Sequence, residues 1–285
     1  MQIPAYRDSE LGRTLTDLYA KADHPRHLRT LVVWQRGGDE SLSADVRSLP
    51  NLEIVEVPFA DSNGCNWARS LLQKGWREEP YTLMLDSHHR FVRGWDTAVL
   101  SMYQQLEASG ISKPLLTGYL PSYEPSREPG ARKKRPYKIF PLQREQGILT
   151  RLTSYPIPYW TSLTGPIVAG FLSLHFAFTE GKFNAAVPFD PEIYFFGDEV
   201  VTGLRAYMAG YDLFHPHRVV GWHCYDRTSR VAHWHDPDDW GEQHRGSLER
   251  MRRLFLGEDG IGDQHGGRTI SDYESHIMLK LVEHP

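Results

Sequence analysis

Apolar positions in the first part of the chain switch repeatedly between a period near two and a period near 3.6. "LRTLVVWQ" and "LEIVEVPF" are short and rich in β-branched residues, and read as strands, the second with Leu52, Ile54 and Val55 or Val57 as its apolar positions. "YTLMLDS" and "KPLLTGYL" read the same way. Ahead of the first strand, "DSELGRTLTDLYAKADHP" places Leu11, Leu15, Leu18 and Tyr19 on one helical face, with Asp8 as N-cap and Pro25 just past the end. "NWARSLLQKGW" and "GWDTAVLSMYQQLEAS" predict two more helices, the first packing through Ala68, Leu71, Leu72 and Gly75. Strand and helix alternate over roughly the first 120 residues, which predicts an α/β domain with a mainly parallel sheet. Ligands in such sheets bind outside the carboxyl ends of the strands, and Asp86 stands at one of these ends.

After Pro121 the pattern breaks. "PSYEPSREPGARKKRPYK" is dense in proline and charge and predicts a loop, its basic cluster Arg132 to Arg135 being a solvated run or a contact for phosphate or an acidic acceptor. Order returns with "GPIVAGFLSLHFAF", where Gly170 allows close backbone approach. A helix then carries Val200, Val201, Leu204, Tyr207 and Met208 as its buried stripe and ends near Gly210, and a strand leads to His223. Asp198 and Glu199 fall at that helix's N-terminus, where the dipole favours carboxylates even without a further role. The tail from Gly257 onward is polar and glycine-rich, a lid or a loose end.

Composition narrows the functional classes. The 285 residues, 40% hydrophobic and 24% charged, suffice for one large domain with an appendage. A net charge of −4 supplies no global field for nucleic acid or anionic membrane, so an anionic ligand must be held by local groups. No signal-type start and no membrane-length apolar segment is present in the sequence, and two cysteines, Cys65 and Cys224, are too few for a disulfide framework. The expected setting is the cytoplasm.

The chemistry centres on "DSH", Asp86 to His88. A carboxylate oxygen and an imidazole nitrogen, displayed where a strand opens into a loop, suit a divalent cation. Imidazole suits Mn2+ better than Mg2+, which prefers an all-oxygen shell, although Mg2+ is the alternative. His223 closes the apolar run "VVGWH" and is expected to reach the same rim. His89 is expected on the face opposite His88, and His215, His217, His233 and His235 are expected in loops. There is no G-x-S-x-G, H-E-x-x-H, P-loop or G-x-G-x-x-G motif, so serine-hydrolase, zinc-protease, kinase and dehydrogenase readings lose their signatures. Metal-assisted group transfer survives.

Five ordered stretches, "IPAYRDSELGRTLTDL", "NGCNWARSLLQKGW", "YTLMLDSHHRFVRGWD", "VPFDPEIYFFGDE" and "GYDLFHPHRVVGWHCYDR", resemble the hydroxyproline-type polypeptide N-acetylglucosaminyltransferases. That family is similar in turn to the mucin-type polypeptide N-acetylgalactosaminyltransferases. The resemblance covers nearly the whole chain except residues 121–160. It implies a GT-A fold, a Rossmann-like, mainly parallel sheet flanked by helices, spanning 1–256, with 121–160 as an irregular acceptor-side excursion and 257–285 as the tail. It implies a UDP-sugar donor, GlcNAc above others, transfer to a hydroxyl of a protein, peptide or small molecule, and retention of anomeric configuration. Carried over residue by residue, it implies Asp86, His88 and His223 as metal ligands and Tyr6, Arg7, Asp8, Arg69 and Ser87 as nucleotide contacts. It implies Gly170 and Asp198 at the sugar, and Asp198 with Glu199 as the catalytic acid pair. The chain departs from the family pattern in a short lead before Pro4, in an aspartate at 198 where a glutamate is usual, and in His89 at an often apolar place. The rival readings are a metal-dependent nucleotide-sugar or phosphoester hydrolase and a non-catalytic carbohydrate-binding protein.

Overall fold

The computed structural model describes residues 1–226, 231, 240–261 and 267–283. His233 and His235 lie outside these residues. The first half runs β1 (Gln2–Tyr6), α1 (Leu11–Lys21), β2 (Thr30–Arg36), α2 (Ala44–Arg47), β3 (Leu52–Pro58), α3 (Cys65–Lys74), β4 (Tyr81–Leu85), β5 (His89–Phe91), α4 (Trp95–Ala108) and β6 (Pro114–Thr117). The second half adds β7 (Tyr137–Glu145), β8 (Leu149–Pro156), β9 (Ile167–Val168), β10 (Phe176–Glu180), α5 (Phe183–Ala186), α6 (Asp198–Met208), β11 (Asp212–His215), β12 (Gly221–His223), α7 (Trp240–Phe255) and α8 (Ile270–Ile277).

An eight-stranded sheet, in the order β3-β2-β1-β4-β10-β6-β11-β9, forms the frame. The pairings β1 to β2, β2 to β3, β1 to β4 and β6 to β11 are parallel, whereas β10 runs antiparallel between β4 and β6 and β9 antiparallel beside β11. The inner parallel strands β1, β2, β4 and β6 are mostly buried because both faces are covered, whereas the edge strand β3 is partly exposed. On one face α1 buries Leu11, Leu15 and Leu18 and α4 buries Trp95, Val99, Met102 and Tyr103, in one core with Ile3, Val32, Leu83 and Leu85. Elsewhere α3 buries Ala68 and Leu72 against Leu31 and Val33. Replacing a buried leucine of this kind with alanine costs about 2–5 kcal/mol.

A second core gathers α6, α7 and α8, with Val200, Val201, Leu204, Leu248, Met251, Leu254, Tyr273 and Ile277 buried together. The tail anticipated as a lid or loose end thus contains a helix whose Tyr273 and Ile277 are packed inside the protein.

The excursion at 121–160 is irregular only in part. Residues 137–156 form a hairpin, β7 against β8, turning at Gln146 and Gly147, which both take positive φ. Ile139 and Leu149 bury one side of it in the second core. Pro141, which argues against a strand, sits at the register shift between Pro141 and Gln143 where the ladder is interrupted. Upstream, Arg132 pairs with Glu128 and its guanidinium lies over Trp222, while Lys133, Lys134 and Arg135 are exposed. No helix among the described residues is long and apolar enough to cross a membrane.

Candidate metal centre and active site

Asp86 follows β4 directly, so the buried run Leu83, Met84, Leu85 delivers its carboxylate to the carboxyl edge of the sheet. The chain then turns into β5, which pairs antiparallel with β12 and sets His223 opposite His89. That crossing requires Gly221, since a Cβ there would stand 2.7 Å from the Arg90 carbonyl oxygen. The ribbon brings three side chains together: Asp86 Oδ2 is 3.4 Å from His223 Nε2 and 3.7 Å from His88 Nε2. One donor atom from each of Asp86, His88 and His223 falls within 4.8 Å of the others, close to the spacing of donors around one divalent ion. A carboxylate oxygen and two imidazole nitrogens form a donor set suited to Mn2+ or another first-row ion, so the residues present fit such a group.

The protonation states agree with that use. Burial alone would raise the Asp86 carboxyl, but the hydrogen bond with His223, the neighbouring His88 and the Arg69 guanidinium hold it well below the usual carboxylate range. Burial and the adjoining imidazoles push His223 and His89 well below the usual histidine range, leaving neutral rings with a lone pair.

Asp86, Ser87 and His88 line a cavity of about 350 Å³ together with Tyr6, Asp8, Arg69, Asp198, Glu199 and His223. Asp198 and Glu199 open α6, immediately after Gly197 at φ +96°. Asp198 accepts from the Glu199 backbone N–H and from Arg69, whose other nitrogen reaches Asp86 Oδ1 at 3.4 Å. Arg69 is buried and therefore sits as one cation between two carboxylates, Asp86 beside His88 and His223 and Asp198 at the helix terminus. Glu199 accepts from the Tyr119 hydroxyl at 2.7 Å and from the Leu174 N–H at 3.0 Å. Burial and the charge of Asp198 push the Glu199 carboxyl up to about 7.

The remaining expected residues separate. Tyr6 lines the cavity, whereas Arg7 does not, its guanidinium lying 4.5 Å over the Phe59 ring. Asp8 does not cap α1, where Glu10 holds the N-cap position; its carboxylate instead faces Ser87 and His88. Gly170 corrects the expectation of a sugar-pocket glycine: it is not among the cavity-lining residues, its carbonyl accepts from the Tyr273 hydroxyl, and a Cβ there would meet Ile277 at 3.4 Å. His89 is not turned away from the metal triad, since its ring lies 4.9 Å from that of His223. His215 is not in a loop; it is a buried residue of β11, tied to Thr117 and Ile139.

Sequence reasoning missed His175, which lines the cavity and stacks on His223 at 4.2 Å. Its Nε2 accepts from the Leu120 N–H, and burial lowers its pKa to about 4. It also missed Tyr119, Tyr225 and the β8 residues Thr150 and Arg151, which complete the cavity wall. The one available signal was the polar His175 interrupting the apolar stretch "FLSLHFAF".

The mainly parallel sheet flanked by helices has the GT-A fold, which is shared with solved structures of low sequence identity. GalNAc-T7, crystallised with UDP, GalNAc and Mn2+, superposes with a TM-score of 0.60 at 12% identity, over 98% of this chain and 54% of that one. TarS of S. aureus gives 0.58 at 12% identity, over 97% of this chain and 42% of that one. Its 1–349 segment with UDP-GlcNAc gives 0.52 at 13% identity, over 90% and 72%. The chain thus spans about half the length of the first two of these proteins. Residues 43–276 match the family model for glycosyltransferase (GlcNAc), and the chain belongs to that family. No curated protein matches the sequence.

Proposed function

We propose that the protein is a retaining glycosyltransferase that moves a sugar, GlcNAc above others, from a UDP-sugar to a hydroxyl of a protein, peptide or small-molecule acceptor. The observation that carries this reading is the convergence of Asp86, His88 and His223 on one edge of the cavity, in a chain of this family. Neighbouring structures that hold UDP, UDP-GlcNAc or Mn2+ support the choice of donor and ion. The hydroxyproline-type resemblance favours a hydroxylated peptide among the acceptors.

In this reading Asp86, His88 and His223 hold Mn2+, which supplies Lewis-acid stabilisation of the negative charge left on the departing diphosphate. Tyr6 walls the nucleotide side of the cavity. Arg69 compensates two carboxylates that would otherwise repel a diphosphate, and Asp198, which lines the cavity, would accept from sugar hydroxyls. The bond from the anomeric carbon to the diphosphate oxygen breaks as the acceptor oxygen bonds that carbon from the same face. The electron pair leaves on the diphosphate, which takes the acceptor's proton. Preorganisation of both substrates in the cavity supplies much of the rate.

A thermal-shift screen of UDP-sugars with and without Mn2+ tests the donor, because a ligand binding only the native state raises the melting temperature. Stabilisation by UDP-GlcNAc that needs Mn2+ is expected. Product analysis then separates transfer, giving UDP and a glycosylated acceptor, from hydrolysis, giving UDP and free sugar. Indifference to both UDP and Mn2+ overturns the reading.

A further inference from the structure

Asp8 lies directly behind His88, where β1 has ended and the chain turns towards α1. One carboxylate oxygen, Oδ1, accepts from the Glu10 N–H at 2.9 Å. The other, Oδ2, accepts from the Ser87 hydroxyl at 2.6 Å and lies 2.7 Å from His88 Nδ1. The residue is 4% exposed, so its environment is fixed by protein rather than by solvent.

We propose that Asp8 is a positioning residue for the cation site, acting through His88 rather than contacting the nucleotide. The proposal rests on the reading of Asp86, His88 and His223 as cation ligands. A carboxylate only accepts, so the short contact requires hydrogen on His88 Nδ1. In a neutral imidazole the lone pair is then on Nε2, the nitrogen 3.7 Å from Asp86 Oδ2. Asp8 thereby selects the tautomer and the ring orientation that a cation needs. The partner imidazole is tied only to another of the three ligands, its Nε2 lying 3.4 Å from Asp86 Oδ2. His223 Nδ1 is buried with no hydrogen-bond partner among the described residues, and its ring is held by His175 at 4.2 Å and Tyr225 at 4.3 Å. Of the two imidazoles, only that of His88 has its Nδ1 tied by a hydrogen bond to a residue outside the three ligands, which concentrates the site's preorganisation in Asp8.

Asparagine at position 8 cannot reproduce this. Its single oxygen cannot serve both the Glu10 N–H on one side and Ser87 with His88 on the other. With the amide nitrogen towards His88, the imidazole proton moves to Nε2 and the lone pair is no longer available to a cation.

The test measures Mn2+ binding to the nucleotide-free full chain by calorimetry, and UDP binding in the presence of a chelator by saturation-transfer NMR, for wild type, Asp8→Asn and Asp8→Glu. Asp8→Asn is expected to weaken Mn2+ about 10–100-fold, with metal-free UDP binding close to wild type and a metal-free melting temperature lowered by the buried hydrogen bonds it loses. Asp8→Glu keeps the acceptor and is expected to retain Mn2+ affinity between the two, which also serves if Asp8→Asn does not fold. Unchanged Mn2+ affinity in both variants overturns the proposal. So does weaker chelator-resistant UDP binding with Mn2+ affinity intact, which makes Asp8 a nucleotide contact. A wild-type chain that takes up no Mn2+ instead overturns the three-ligand reading beneath it.

Discussion

Asp86 Oδ2 and His223 Nε2 stand 3.4 Å apart although 137 positions separate them in the chain. Two short strands accomplish this, β5 immediately after the DSH turn and β12 pairing with it, so the ligand geometry depends on a ribbon of three residues a side rather than on the main sheet.

Removing either end of that contact separates fold from function. Asp86→Ala and His223→Ala are expected to weaken Mn2+ by more than about 100-fold and to abolish metal-dependent UDP-sugar turnover, with native circular dichroism. Turnover at the wild-type rate in either variant takes that residue out of the mechanism.

Arg69 offers a stability test. Its guanidinium is shared by Asp198 and Asp86, and the side chain is buried. Arg69→Met leaves two carboxylates uncompensated, so a loss of about 3–5 kcal/mol in denaturant unfolding is expected. A loss below about 1 kcal/mol, the scale of a surface ion pair, contradicts the buried bridge.

The acid pair at the start of α6 distinguishes capping from catalysis. A carboxylate acting only on the helix dipole contributes about 0.3–1 kcal/mol of stability and nothing to rate. Asp198→Asn is expected to slow transfer severely, and steady-state rates near wild type assign it to the helix. Gly197→Ala, one residue earlier, is expected to destabilise by more than about 1 kcal/mol, because φ is +96° and a Cβ would collide with Met251.

His215 predicts a pH dependence away from the metal centre. Its Nδ1–H donates to the Thr117 carbonyl and its Nε2 accepts from the Ile139 N–H, so the ring is held neutral, and burial lowers its pKa from 6.5 to about 4. Between these values the unfolded chain binds the extra proton, so stability rises with pH across that window and is lost as pH falls from 6.5 towards 4. The contribution is on the order of 3 kcal/mol. His215→Gln is expected to flatten that part of the stability profile, and a profile parallel to wild type counts against it.

Most of the α/β frame was legible in the sequence because its elements carry strong periodicity: the stripe Leu11, Leu15, Leu18 and the runs 30–36 and 81–85 became the helix and strands they suggested. The β7 and β8 hairpin was not, because Pro141 at the ladder's interruption and the basic cluster before it mask the alternation. At the site, local motifs foretold that Asp86 and His88 lie together, and the end of the run at His223 foretold the third partner. Side-chain direction was harder. The turn after Leu85 is not a strand, so alternation gave the wrong side for His89, whose ring is nearly parallel to that of His88. His175 escaped notice since a lone histidine in an apolar stretch reads as ordinary core. Asp8 was mistaken for a cap because the residue it serves lies 80 positions away.

The cavity is walled from two hydrophobic cores. Tyr6, Asp86 and His88 project from the sheet and helices of the first, while Leu149, Val200 and the partly buried Leu152 and Phe196 belong to the second. The two walls are therefore anchored in different cores and joined by Arg69, which reaches both Asp86 and Asp198. A change confined to the hairpin wall therefore reshapes what is offered to an incoming molecule without touching Asp86, His88 or His223.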